Sequence, residues 1–404
     1  MSKILIGILK EGKIPVDERV ALTPQQCARV EKIFPEVKII VQKSPVRCCS
    51  DNEYANERIE MADNLLECDI ILGIKEVPVI EFIDNKTYLF FSHTIKEQPN
   101  NRVLIRKILR KKIRLIDYEC LTDPSGARVI SFGRYAGIVG AYNGILTFGL
   151  RYNLFKLKRA YECDGLEDLK NEYKKVILPL VKIAITGGGR VAKGAMEILD
   201  CMGIKNVSPE EYLIRTYDVP VYTQFSSKYY NKNSGGMPFN RQEFHKYPER
   251  YESDFNKFAR KTDLLIAAAY WDTNAPVLFT REDILKEDFR IKVVADITCD
   301  IEGSIPSTKK ASTIYDPVYD YNPKTDTIEK PMSDESNITV MAVDNLPCEL
   351  PEDSSYYFGE QIISNVLPSL LRTDDQGIIA RGTITLNGSL TEDFAYLQNY
   401  VDGK

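Results

Sequence analysis

The stretch VKIAITGGGRVAKGAMEILD, Val181–Asp200, decides how the chain is read. An apolar run of strand length, Val181–Ile185, leads into Gly187-Gly188-Gly189-Arg190-Val191-Ala192. That run fits the pattern G-x-G-x-x-G/A, and helix-forming residues follow it, which is the context the pattern requires. Gly187 permits the tight turn, and Gly189 lets backbone N–H groups approach a pyrophosphate. Ala192 keeps the helix close to the sheet, and the first helical residues, Arg190 and Val191, face the phosphate charge. The bland alternative is a glycine-rich connection that holds no ligand. Strand, turn and helix together favour a dinucleotide.

Outward from this turn the chain alternates strand and helix patterns. Towards the C-terminus, DLLIAAAYW (Asp263–Trp271), IKVVADI (Ile291–Ile297) and ITVMAV (Ile338–Val343) read as strands. Towards the N-terminus the strand candidates are KILIGIL (Lys3–Leu9), VKIIVQ (Val37–Gln42), DIILGI (Asp69–Ile74), TYLFF (Thr87–Phe91) and KIRLIDY (Lys112–Tyr118). Thr23-Pro24-Gln25-Gln26 carries a helix start, with Pro24 at the first helical position and Gln26 able to reach back. Asn101–Lys112 has apolar residues at helical spacing. Such alternation predicts α/β architecture with parallel sheets. The polar, Tyr-rich stretch 215–260 is too long for a usual loop and reads as an insertion. The ribose-reading residue is expected ~20 residues past the first glycine, at the end of the next strand. Ser208 stands there, with Glu210 and Glu211 just beyond. Serine leaves room for a 2′-phosphate, so the cofactor reads as NADP or NAD with a lean to NADP. Trp271, the sole tryptophan, ends a strand on the cofactor side, where it lines the nicotinamide pocket or joins the core.

Composition narrows the class. A chain of 404 residues suggests two domains. A net charge of −5 offers no basic surface for nucleic acid. No apolar run approaches the ~20 residues of a membrane span, and the N-terminus carries no signal- or transit-peptide pattern. Nine cysteines without a C-x-x-C fit neither a disulfide framework nor a zinc site, so no metal is expected and a reducing cytoplasm is the simplest compartment. The adjacent pair Cys48-Cys49 has no evident role.

The chain has only two histidines, and His93 ends the apolar run FFSHTIK (Phe90–Lys96). In parallel α/β sheets, ligands gather beyond the carboxyl ends of the strands. DIILGI runs into Lys75 and TYLFF into His93, so parallel neighbours would bring the two to one cleft. A desolvated lysine and a histidine can pass protons at neutral pH. The plainer reading is a solvated lysine and a satisfied strand-end histidine. Arg19, Arg128 and Arg134, with Lys10, Lys13 and Lys96, would suit a substrate bearing several carboxylates. Each taken singly is more often a surface residue.

ERVALTP (Glu18–Pro24) resembles the opening signature shared by alanine dehydrogenase, the transhydrogenase NAD-binding subunit and lysine-forming saccharopine dehydrogenase. FFSHTIK, IRLIDYE (Ile113–Glu119), RVISFGRYAG (Arg128–Gly137), HKYPERYESDF (His245–Phe255) and VDNLP (Val343–Pro347) are similar to the lysine–2-oxoglutarate reductase domain of the eukaryotic bifunctional lysine-degrading enzyme. The resemblance runs from about Gly7 to Leu371, and the chain reads as a free-standing version of that domain. It implies two Rossmann-like domains with a cleft between them. The first, discontinuous, substrate and catalytic domain takes residues 1–145 and 344–404. The second, NAD(P)-binding, takes 146–343.

The resemblance also implies a reaction, the reversible condensation of L-lysine with 2-oxoglutarate through an imine, reduced by NAD(P)H to saccharopine. In it Lys75 deprotonates the attacking amine and His93 is acid and base at the carbinolamine and imine. Arg19 and Arg128 hold substrate carboxylates, Lys96 supports them, and Asp344 partners the nicotinamide or the substrate. Glu76, beside Lys75, departs from the family's usual pattern and adds a negative charge that would hold the Lys75 pKa up. The expected partners are small molecules, not nucleic acid or membrane, with oligomeric state open and a homo-oligomer among the options. Two alternatives stand beside this. One is an alanine dehydrogenase-like or other amino-acid or opine dehydrogenase, and the other a non-catalytic dinucleotide sensor.

Overall fold

The computed structural model describes residues 3–12 and 14–404. Lys13, grouped above with the substrate-side cations, lies outside the described residues. The chain divides into two compact units, Met1–Phe132 with Pro351–Lys404, and Gly133–Leu350. Each is a parallel-dominated sheet covered by helices, so the fold is α/β with two Rossmann-like domains, the first of them discontinuous.

The first unit opens with β1 (Ile4–Ile8), β2 (Val37–Gln42), β3 (Glu60–Ala62), β4 (Ile70–Leu72), β5 (Thr87–Phe90) and β6 (Arg114–Asp117). All six are parallel and lie in the order β6-β5-β4-β1-β2-β3. They are near-continuous apolar runs because helices cover both faces. The chain moves one way from β1 to β3 and the other way from β4, so the topological switch point lies between β1 and β4. The helix Pro24–Ile33 starts as its sequence predicts, with Gln26 accepting from the Thr23 N–H at 3.1 Å. Gln26 also donates to the Tyr356 carbonyl and the Glu360 carboxylate, tying this helix to the C-terminal segment.

The second unit contains β7 (Lys182–Thr186), β8 (Lys205–Asn206), β9 (Val221–Phe225), β10 (Asn231–Asn233), β11 (Tyr251–Ser253), β12 (Leu264–Ala267), β13 (Val293–Asp296), β14 (Val318–Asn322), β15 (Thr327–Glu329) and β16 (Ile338–Met341). Its main sheet runs β15-β14-β16-β13-β12-β7-β9-β8, with β14 and β15 antiparallel at one edge. Here the switch point lies between β7 and β12.

The expected insertion 215–260 is corrected by this sheet. Val221–Phe225 is a core strand paired in parallel with β7, from Lys182↔Val221 to Thr186↔Phe225. Only the stretch after it leaves the sheet, as short helices and the β10–β11 hairpin. The stretch looked polar because its tyrosines carry hydroxyls. Yet Tyr222, Tyr230 and Tyr251 are buried, with aromatic bodies serving as core.

Two helices of this unit, Gly133–Arg151 and Arg190–Cys201, cross at contact distance through paired glycines. A Cβ on Gly137 would sit 1.9 Å from the Val191 carbonyl oxygen, and one on Gly194 would sit 2.1 Å from that of Arg134. The crossing fixes the helix that begins at the glycine turn. Buried within the unit, Asn143 donates to Glu349 at 2.8 Å, and burial pushes the Glu349 carboxyl up to about 7.

The chain then returns to the first unit. The helix Pro351–Gln361 brings Phe358 onto Phe132, stacked with centroids 4.3 Å apart, and β17 (Thr383–Leu386) and β18 (Ser389–Leu390) extend that sheet antiparallel beyond β6. Among the described residues, no helix is long and apolar enough to cross a membrane.

Because a rigid backbone oxygen faces Gly137, the substitution Gly137→Ala should lower stability by roughly 3 kcal/mol or more. Urea unfolding followed by circular dichroism measures this directly, and a loss below ~1 kcal/mol would mean the helices part without strain.

Candidate active site

In the first unit the polar groups gather where the sheet's carboxyl ends meet the switch point. Glu11 follows β1 and crosses to the loop after β4. Its two carboxylate oxygens accept from the Ile74 N–H at 2.7 Å and the Lys75 N–H at 2.9 Å. Burial, and then the Asp17 charge, push Glu11 up to about 7 against these two hydrogen bonds. Lys75 is thereby anchored by its own backbone.

β5 lies beside β4, with Leu72 opposite Leu89, so Lys75 and His93 leave neighbouring strands at the same edge. The His93 backbone is left-handed, with φ 53°. Hydrogen bonds on both sides of it hold that conformation. Asp117, at the end of β6, accepts from the Ser92 N–H at 3.0 Å and from the Ser92 hydroxyl, and the Ser92 hydroxyl meets that of Thr94 at 2.8 Å. Asp117 is fully buried, and burial raises its pKa despite these donors. The His93 Nδ1 meets the Glu76 carboxylate. A carboxylate accepts, so Nδ1 carries the proton and Nε2 is the nitrogen left to act. Glu76, expected as a charge beside Lys75, is thus in contact with His93.

The cations are paired rather than bare. Glu119 lies between two of them, accepting from Arg128 at 2.9 Å with the Lys96 ammonium 3.9 Å away. Arg128 is half exposed, and Arg19 is buried. Arg19 donates from Nε at 2.9 Å and from its terminal nitrogen at 2.6 Å to the two oxygens of Asp17, and its guanidinium lies 4.2 Å from the Phe132 ring centroid. Lys10 follows β1 on the same edge, and its N–H donates to Gln42 at 3.3 Å. Arg134, considered above as a further substrate cation, belongs to the second unit and grips Glu197 in a fork at 2.8 and 2.6 Å.

In the second unit Gly187 has φ 92°, and a Cβ there would meet the Ala268 carbonyl oxygen at 2.8 Å. Only glycine fits that turn. Gly189 is the N-cap of the helix Arg190–Cys201, and a Cβ on it would meet nothing within 4 Å. A strand end, a left-handed glycine and an open helix N-terminus opening on Arg190 and Val191 fit a pyrophosphate. Asp344 is exposed just past β16, at the same edge of the same sheet, its N–H donating to the Ser312 carbonyl at 3.3 Å.

Two positions expected at strand ends are corrected. Ser208 is not at the end of a core strand. It is the N-cap of the helix Pro209–Ile214, its hydroxyl accepting from the Glu211 N–H at 3.2 Å. The strand beside β7 is β9, and it ends nearly twice as far along the chain as the usual ~20 residues, because β8 and that helix intervene. The residues at its end are Gln224, Ser226 and Lys228, none of them singled out from the sequence. Gln224 donates to the Gly187 carbonyl and braces the turn. Trp271 lies in the loop beyond β12 rather than at the strand's end. Its indole N–H donates within that loop, to Ala275 and Pro276 at 3.1 and 3.2 Å, and its ring packs on Gly303. The strand signal VPVYTQF was present in the sequence, hidden by the polar residues around it.

Residues 7–139 match the family model of the alanine dehydrogenase/PNT N-terminal domain. The whole chain is 30% identical to the mitochondrial alpha-aminoadipic semialdehyde synthase of Mus musculus, covering 100% of this chain and 48% of that protein. It is also 26% identical to the saccharopine dehydrogenase [NAD(+), L-lysine-forming] of Yarrowia lipolytica, over 89% of each. Residues 7–139 thus carry an alanine dehydrogenase/PNT N-terminal domain, and the chain as a whole is similar to alpha-aminoadipic semialdehyde synthases and lysine-forming saccharopine dehydrogenases. It spans about half the length of the mouse relative. A solved L-alanine dehydrogenase superposes over 99% of both chains with a TM-score of 0.66 at 15% identity, a likeness of fold.

Glu11 yields a pH prediction. Its folded pKa of about 7 exceeds the ordinary 4.5, so as pH rises between these values the unfolded chain loses this proton first. Stability therefore falls across that window, by on the order of 1–3 kcal/mol from this group. Glu349 adds a fall of the same sign. Glu11→Gln should flatten part of the slope in urea unfolding between about pH 5 and pH 8, and an unchanged slope would count against a buried Glu11 charge.

Proposed function

We propose that this chain is a nicotinamide-dependent oxidoreductase acting on a CH–NH bond, interconverting L-lysine plus 2-oxoglutarate with saccharopine. The observation that carries the reading is the edge shared by Lys75 and a His93 backed by Glu76, in a chain similar along its whole length to enzymes named for this chemistry. The first unit is then the substrate and catalytic domain, and the second binds the dinucleotide.

The roles follow from the groups present. Lys75, acting as a neutral amine, takes a proton from the ε-ammonium of lysine; the amine nitrogen bonds to the keto carbon of 2-oxoglutarate as the C=O π bond opens, and the oxygen takes up a proton as the nitrogen loses one. His93, through Nε2, gives a proton to the carbinolamine oxygen, which leaves as water while the imine forms. The Glu76 carboxylate stabilises the histidine whenever it is positive. When bound, the dinucleotide supplies a hydride to the imine carbon. Arg128 and Lys96 exchange their shared Glu119 for substrate carboxylates, and Arg19 contributes a further guanidinium already oriented by Asp17. Asp344 faces the nicotinamide side or the substrate's ammonium group.

The cofactor reading favours NADP on new ground. At the end of β9 stand Ser226 and Lys228, with no carboxylate to receive a ribose 2′-hydroxyl or to repel a 2′-phosphate. Gly187, Gly189, Arg190 and Val191 take the pyrophosphate. In this reading Ser208 serves the helix Pro209–Ile214 as its N-cap, and the Trp271 indole N–H braces its own loop.

Purified protein should oxidise NADPH with lysine plus 2-oxoglutarate and not with pyruvate plus ammonium. His93→Asn should lower kcat by ~10²–10⁴. Turnover of pyruvate and ammonium alone would replace the reading with an alanine dehydrogenase-like one, and NADPH binding without turnover of either pair would favour a sensor. Lys228→Glu should raise the KM for NADPH at least about tenfold and leave that for NADH near its starting value. Equal changes in both would remove Lys228 from 2′-phosphate recognition.

A further inference from the structure

Cys48 and Cys49 lie beyond the carboxyl end of β2, in the turn before the helix Asp51–Asn56, and have no part in the reaction proposed above. Their sulfurs are 3.9 Å apart, with Cys48 half-buried and Cys49 buried, and no disulfide joins them. Arg47 secures the turn, donating to the Cys49 and Gln42 carbonyls at 2.8 Å each and to the Asp51 carboxylate.

The pair also grips the chain on both sides of Arg19. The Cys48 N–H donates to the Glu18 carbonyl at 2.8 Å. The Cys48 sulfur lies 3.9 Å from the Ser355 hydroxyl, which accepts from the Val20 N–H at 2.9 Å and donates to the Pro351 carbonyl at 2.6 Å. The Cys49 thiol, and then the Ser355 hydroxyl, draw the Cys48 thiol below the ordinary cysteine range, against its burial.

We propose that Cys48 and Cys49 are a redox-active dithiol, which hydroperoxides convert to a vicinal disulfide, loosening the backbone around Arg19. The Cys48 thiolate attacks one peroxide oxygen. An S–O bond forms, the O–O bond breaks, and the second oxygen leaves as an alcohol, or as water from hydrogen peroxide, after taking a proton. Cys48 is then a sulfenic acid. The Cys49 sulfur attacks it, an S–S bond forms, the S–O bond breaks, and the hydroxide leaves as water with the Cys49 proton. The two sulfurs lose the two electrons that the peroxide gains. Closing 3.9 Å to a bond of about 2.05 Å moves the Cys48 sulfur and its peptide, and so disturbs the contacts to Ser355 and Glu18. That loosening bears on substrate binding only through the role proposed above for Arg19; the chemistry of the pair does not depend on it.

The test uses the full chain treated with hydrogen peroxide, then alkylated and digested for mass spectrometry. The peptide holding both cysteines should lose two hydrogen atoms and escape alkylation, and dithiothreitol should restore it. Cys49→Ser should leave a sulfenic acid at Cys48 that dimedone traps. In the oxidised wild type, the Val20 amide should exchange about tenfold faster, the change expected from losing one net hydrogen bond. Full alkylation of both thiols while the exposed Cys201 oxidises would overturn the proposal. A disulfide that forms with Val20 exchange unchanged would overturn the link to Arg19. The wild-type measurements decide both points should Cys49→Ser fail to fold.

Discussion

The carboxylate of Glu11 holds two strand ends together at the point where the first sheet reverses its winding. Parallel strands diverge beyond their last ladder bond, and their terminal N–H groups lose partners there. Glu11 supplies both missing acceptors at once, to Ile74 and Lys75. Lys75 is thus held through its main chain at the edge where its strand ends. Burial of that carboxylate is unfavourable, and its raised pKa records it.

The same device recurs along the edge. Asp117 takes the amide and hydroxyl of Ser92 and so steadies His93 in a left-handed conformation uncommon for a residue with a Cβ. Asp17 orients Arg19, Glu76 meets His93, and Glu119 lies between Arg128 and Lys96. Buried and half-buried cations remain charged only with such partners. The half-exposed pair of Arg128 with Glu119 is the easier of these to exchange for another carboxylate, and the buried pair of Arg19 with Asp17 the harder.

Much of this was legible in the order of residues. Apolar runs of strand length marked β1, β2, β4, β5 and β6, because strands covered on both faces leave no alternation to obscure them. The glycine turn was legible because Gly187 and Gly189 answer to backbone geometry that no other residue meets as easily. Lys75 and His93 were legible as polar residues ending apolar strands. Ser208 misled because the expected spacing of about twenty residues holds only when the helix leads directly to the next core strand. Here β8 and a short helix come first, and β9 was masked by tyrosines whose hydroxyls read as polar while their rings are buried.

By itself the sequence determined most of the core strands, where the glycine turn lies, and which family the chain resembles. These depend on local periodicity, backbone freedom and residue identity, all of which are carried by near neighbours in the chain. Only the tertiary structure decided which strand lies next to β7, that Glu76 meets His93, that Glu119 stands between Arg128 and Lys96, and that Ser355 reaches back to Cys48 and Val20. Those pairings join residues brought together by sheet order and chain return, and no local signal encodes the partner of a charge or a thiol.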